Sequence, residues 1–169
     1  TSFFTSANAV AADPTATTPR SAMLEAASSA ASSFAATGTA LDNVAATLDA
    51  TADNATTTLD SLGAALAKVN DGLGRSAEGS GARASLLDQR DQLLEQMSAI
   101  ADVNVTTDTA GRSTVRLGGA TGPVFVAGSE AGSVTYARGD SGAVSFAVHR
   151  AGTSATFSPT GGALAGVVD

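Results

Sequence analysis

Ala27, Phe34, Leu41, Leu48, Ala55, Leu62 and Val69 stand seven residues apart. A recurrence of that period, sustained over such a stretch, fits a long helix with one apolar seam and little else. Val44, Leu59, Leu66 and Leu73 fill flanking positions of the same stripe. Thr18-Pro19 supplies a start, with Thr as N-cap and Pro at the first helical position. The spacing predicts a helix over about 19–73, a rod of roughly 80 Å at about 1.5 Å per residue. Gly38 costs about 1 kcal/mol against Ala inside a helix and is a place for a kink.

The segments around this helix read differently. Residues 2–12 place Phe3, Phe4, Ala7, Val10 and Ala11 at helical spacing, and Asp13-Pro14 ends that run. "GLGRSAEGSGARA" (72–84) reads as a Gly-rich connector. Leu86, Leu87, Leu93, Leu94, Met97 and Ile100 mark a second helix over about 85–101. Ser85 with Asp88 resembles its capping box. At roughly 27 Å, it is expected to fold back antiparallel on the long helix. After Asp102 the apolar period drops to two, beginning with Val103 and Val105. Short alternating runs closed by Gly, Asp or Pro follow, about six strands over 103–158. "ARGDSGA" (137–143) reads as a hairpin turn. Val144, Phe146 and Val148 face one side of their strand; Ser145, Ala147 and His149 face the other. "GGALAGVVD" (161–169) opens a further helix. The fold class is α+β: an elongated helical hairpin or bundle (1–102) with an inserted small antiparallel β domain (103–160), and from 161 a helix returning to the helical part.

Composition narrows the chemistry. The net charge is −7 and the basic residues are scattered singly, so neither nucleic acid nor an anionic membrane is an expected partner. No apolar run approaches the roughly 18 residues of a membrane span. There is no Cys, and His149 is the single His, which removes thiol chemistry, disulfides and the usual catalytic triad. Thr1 is not an initiator Met and no signal peptide opens the chain, so the sequence reads as an excised fragment. Aromatics are only 4%, which points to thin, elongated packing.

Candidate sites weigh toward ordinary structure. Asp88, Asp91 and Glu95 share a helix face, but Arg90 is beside them and no His joins them, so a solvated face is the better reading. Asp42, Asp49, Asp53 and Asp60 read the same way. The Gly-rich connector follows a helix and lacks a phosphate-cradle ending. Arg138-Gly139-Asp140 spells an adhesion tripeptide, but Gly-Asp is also ordinary turn chemistry. No catalytic residue, metal site or cofactor is expected. Lengths carry more information. The second helix covers only about a third of the seam. Leu59 to Leu73 gain a partner, and the first helix can cover Met23, Leu24 and Ala27. Phe34, Leu41, Val44 and Leu48 are left without one. An exposed apolar stripe of this kind is an expected interface, receiving a helix from the rest of the chain or from a neighbouring subunit.

Three blocks in this order resemble one family. "FFTSANAVAADPTATTPRSAMLEAASSAASSF" (3–34), "SLLDQRDQLLEQMSAIADVNV" (85–105) and "GGALAGVVD" (161–169) are similar to segments of flagellar hook-associated protein 1, the hook–filament junction family. The middle block, a Leu-Leu-Asp-Gln-Arg-Asp helix leading into a first strand, is the most specific. The resemblance implies a structural, non-enzymatic, extracellular protein of the bacterial flagellum, exported by the type III route without a cleaved signal peptide. It implies a homo-oligomeric ring between hook and filament, with the hook protein and the second junction protein as partners, and terminal helices outside this fragment. The isolated fragment is expected to be monomeric. In this reading Leu86, Leu87, Leu93, Leu94, Met97 and Ile100 lock a joint, while Asp88, Arg90 and Asp91 set its direction or meet the outgoing chain. Another flagellar axial protein, such as the second junction protein or flagellin, is the nearest alternative. A stalked adhesin or carbohydrate-binding module is a further one, but Phe125, Tyr136, Phe146 and Phe157 are too few for its aromatic face.

Overall fold

The computed structural model describes residues 2–168 and divides the chain into two compact units, 1–47 and 48–169. One helix runs through the division. It is α2 (Thr17–Arg75), 59 residues long and without a break at Gly38. Along its exposed part the Ser33, Thr37, Thr39 and Thr47 hydroxyls donate to carbonyls four residues back.

In the first unit, α1 (Ser2–Ala12) precedes the start of α2. Asp13 ends α1, and its carboxylate accepts from the Thr15 backbone N–H and hydroxyl. Val10 of α1 lines a shallow cleft with Arg20, Met23, Leu24 and Ala27. Met23 and Ala27 are half-buried there. Leu24 stays 73% exposed, so the expected cover over it is incomplete.

The second unit holds the rest of α2, then α3 (Gly81–Ile100), seven strands and a short α4 (Ala165–Val168). α3 starts four residues earlier than the spacing at Ser85 suggested. Its N-cap is Ser80, whose Oγ accepts from the Arg83 backbone N–H at 3.2 Å. Arg83 explains the extra turn, because its guanidinium donates to the carbonyls of Leu73 and Ala110. Leu86 lies over Gly72, so α3 runs back along the end of α2.

Two antiparallel sheets follow: β1 (Val103–Thr107), β2 (Ser113–Leu117), β3 (Val124–Ala127) and β4 (Glu130–Ala131) in one, and β5 (Ser133–Arg138), β6 (Val144–Arg150) and β7 (Thr153–Phe157) in the other. Seven strands replace the expected six because Gly132 separates the two-residue β4 from β5. A Cβ at Gly132 would sit 2.7 Å from the His149 carbonyl, so no other residue fits this close passage. On β6, Phe146 and Val148 are buried and Ser145 and His149 are exposed, as the alternation predicted.

The sheets do not keep a core of their own. Leu59, Leu62 and Leu66 of α2, Met97 of α3, Val115, Leu117, Phe125 and Val126 of the first sheet, Phe146 and Val148 of the second, and Leu164 form one buried cluster. The division between compact units falls inside α2, between Thr47 and Leu48. The physical reason is that α2 residues from Leu48 onward share their apolar face with the sheets, whereas residues 31–44 are exposed throughout.

Candidate interface and its supports

The apolar stripe splits at Leu48. Phe34 is 80%, Leu41 65% and Val44 56% exposed in the first unit. Leu48 is half-buried against the core of the second. No side-chain partner is needed to hold this stretch helical, since an unbroken ladder of backbone bonds runs through it. The stripe is thus an ordered apolar surface facing solvent.

On α3, Met97 is the fully buried member of the expected set. Leu93, Leu94 and Ile100 are half-buried against the core, Leu86 covers Gly72, and Leu87 meets Gly111. Arg90 donates to the Gly111 carbonyl at 2.8 Å and pairs with Asp91. With Arg83 on Ala110, this ties α3 to the β1–β2 turn. Asp88 and Asp91 are exposed.

The junction at Asp102 is built from polar contacts. Its carbonyl accepts from the Gly118 N–H, and its carboxylate accepts from the backbone N–H and hydroxyl of Thr160. Where the chain leaves β7, Ala163 and Leu164 donate to the Ala99 and Ile100 carbonyls at the end of α3. Gly162 adopts a positive φ of 74° there, and a Cβ on it would lie 2.5 Å from the Ile100 backbone. Residues 101–102 and 160–164 are thus entry and exit of the β region, held side by side.

Three polar residues of α2, Asp49, Asp60 and Asn70, bond to the sheets. Asn70 is fully buried; its amide donates to the carbonyls of Ser113 and Gly128 and accepts from the Ser113 N–H at 2.8 Å. Its position between Leu66 and Leu73 on the apolar face was a readable signal, since a polar group there must find partners. Asp60 accepts from the Val134 N–H at 2.7 Å. Burial pushes the Asp60 carboxyl up and that hydrogen bond partly offsets it. Asp49 accepts from the Tyr136 hydroxyl and from Arg138. The Tyr136 hydroxyl and then the Arg138 guanidinium hold Asp49 below the usual carboxylate range. Arg138 is consequently drawn inward and also donates to Gly142 O, so the Arg-Gly-Asp turn does not present its arginine freely. His149 is exposed, 2.9 Å from the Thr135 hydroxyl.

Among the described residues, no group of three or more His, Cys, Asp or Glu is placed to hold a metal. No described helix is long and apolar enough to cross a membrane.

A long helix with an exposed apolar stripe, joined to two antiparallel sheets through bonds from Asn70, Asp60 and Asp49, defines an α+β fold. The family description "flagellar hook-associated protein FlgK helical domain" matches residues 1–169, and the chain belongs to that family. The structure is similar to the flagellar hook junction protein FlgK from Burkholderia pseudomallei, with a TM-score of 0.84 and 22% identity. That match covers 98% of this chain and 31% of the other, so this chain spans about a third of its solved relative. No curated protein sequence matches.

Proposed function

We propose that the chain is the helical part of a hook–filament junction protein, needed for filament assembly and without enzymatic activity or cofactor. The observation that carries this reading is the ordered, exposed stripe of Phe34, Leu41 and Val44 in a member of the hook-associated family. Burying such side chains against a partner is worth about 1.5–3 kcal/mol each. The stripe is read as the seat of a helix, from the remainder of the protein or from a neighbour in a ring of identical subunits. Hook protein and the second junction protein are the proposed axial neighbours. Export through the flagellar apparatus without a cleaved signal peptide belongs to the same reading. The inward-turned Arg138 weighs against the adhesin alternative.

The test is electron microscopy of a strain lacking the gene, with flagellin assayed in the medium. Bare hooks with shed flagellin, restored to filaments by a plasmid copy, are the expected result. Normal filaments and normal swimming overturn the reading.

A further inference from the structure

Leu-Asp pairs recur along α2 at 41–42, 48–49 and 59–60. Their spacing is close to whole turns of helix, so the three leucines share one face and the three carboxylates flank it on the same side. Two of the pairs hold the second sheet. Leu59 is fully buried, and Asp60 accepts from the Val134 N–H at 2.7 Å. Leu48 packs against the core, and Asp49 accepts from the Tyr136 hydroxyl and from Arg138 Nε. Each pair works as a clasp. The leucine takes apolar surface, and the next carboxylate, about 100° round the helix, takes a donor from β5.

The pair at 41–42 has the same parts but meets solvent. Leu41 is exposed between Phe34 and Val44. Asp42 is exposed as well, and no described group bonds to its carboxylate. The opposite flank of the stripe, Ser33, Ala40 and Thr47, is uncharged. Residues 21–67 carry Glu25, Asp42, Asp49, Asp53 and Asp60 and no Lys, Arg or His. A second copy of the stripe therefore brings no cation to Asp42 and sets acid against acid.

We infer that Leu41-Asp42 is a third clasp, and that its occupant is a cationic amphipathic helix. That helix lays apolar side chains on Phe34, Leu41 and Val44 and sets an arginine or lysine on Asp42. Flanking ion pairs of this kind select the partner and its orientation more than they add affinity. The one-sided charge of the stripe fixes the edge on which the partner carries its cation. This partner presupposes the junction role proposed above and adds to it the chemistry of the helix that is seated.

The full-length gene, returned on a plasmid to the deletion strain, tests it, with filamented cells counted by electron microscopy. Asp42→Arg reverses the charge beside Leu41, and Asp42→Glu keeps it. Glu25→Arg makes the same reversal about 160° round the helix from Leu41. Asp42→Glu and Glu25→Arg should restore filaments as the parent gene does. Asp42→Arg should leave about tenfold fewer filamented cells, because opposed like charges reject a partner. The 169-residue Asp42→Arg chain should melt with its parent, so that the loss is not one of folding. Second-site revertants of Asp42→Arg should exchange an Arg or Lys for a neutral or acidic residue, and the position of that exchange identifies the helix. Restoration by Asp42→Arg equal to the parent's, alongside failure of Leu41→Asp, overturns the cationic partner and leaves the junction role standing. Revertants none of which touches a basic residue overturn it too. Normal filaments in the deletion strain overturn both. Sedimentation velocity addresses the other occupant: a dimer of the 169-residue chain that Asp42→Asn strengthens and Leu41→Asp abolishes would seat a second copy on the stripe and overturn the cationic helix.

Discussion

Asp49 and Asp60 stand eleven residues apart on one helix, both bonded to β5, yet folding moves them in opposite directions. Asp60 is raised from 3.8 by burial, so folding disfavours its ionised form. The stability linked to it is fully present below the unfolded value and declines as pH rises through the folded one. Asp49 is lowered from 3.8, chiefly by the Tyr136 hydroxyl and then by Arg138. Its contribution is present above the unfolded value and is lost as pH falls through the folded one. Asp60→Asn keeps an acceptor for the Val134 N–H and removes the buried charge. We expect a higher melting temperature than the parent at pH 7, with the difference gone at about pH 3. Asp60→Ala strands that N–H and should melt lower at both. Equal melting of parent and Asp60→Asn at pH 7 would remove the desolvation account. Asn70→Ala leaves the N–H of Ser113 and two carbonyls without their side-chain partner. At about 1–3 kcal/mol per stranded group, a loss of about 3 kcal/mol or more is expected in denaturant titration. Asn70 was legible as a polar interruption of an apolar face. Asp49 and Asp60 were not, because nothing local distinguishes an acid that meets a sheet from one that meets water.

At the scale of elements, two glycines in α2 make opposite demands. A Cβ on Gly63 would lie 2.6 Å from the Phe125 ring, whereas Gly38 has nothing within 4 Å. Gly38→Ala should stabilise by up to about 1 kcal/mol through helix propensity alone. Gly63→Ala has the same propensity gain but must displace a fully buried ring, and overpacking of about 1–3 kcal/mol should win. Thermal melts of both variants decide it, and a stabilised Gly63→Ala would mean Phe125 can move. On α3, Met97→Ala should cost about 2–5 kcal/mol, and Leu93→Ala less, because Leu93 is only half-buried. Periodicity alone ranked these two side chains equally. It found α1, α2, α3, the change at Asp102 and the faces of β6, since each is a local repeat. It missed the extra turn of α3, which depends on Arg83 reaching Leu73 and Ala110. The core that α2 and α3 share with both sheets is a long-range contact pattern, which no local repeat reports.

For the molecule as a whole, the seam is a single repeat with two fates. Leu59, Leu62 and Leu66 lie in the core, while Phe34, Leu41 and Val44 continue the same spacing into solvent. Selection for folding of this chain alone gives no reason for large apolar groups at the exposed positions, since a polar residue there would leave the backbone ladder intact. An aspartate at Leu41 should therefore leave the thermal midpoint of the 169-residue chain within about 0.5 kcal/mol of the parent, as exposed substitutions usually do. The same change in the full-length protein faces a different environment if the stripe is covered on assembly. An unpaired carboxylate would then be buried in an apolar contact, at a cost of several kcal/mol. The expected pattern is a stable chain with unchanged melting, together with failure of Phe34→Asp/Leu41→Asp to restore filaments in the deletion strain. Melting separates the two environments, because a lowered midpoint in the isolated chain would place Leu41 in its own core. Full restoration of filaments by the double variant would mean that the stripe meets no partner, and the interface would have to be sought elsewhere on the molecule.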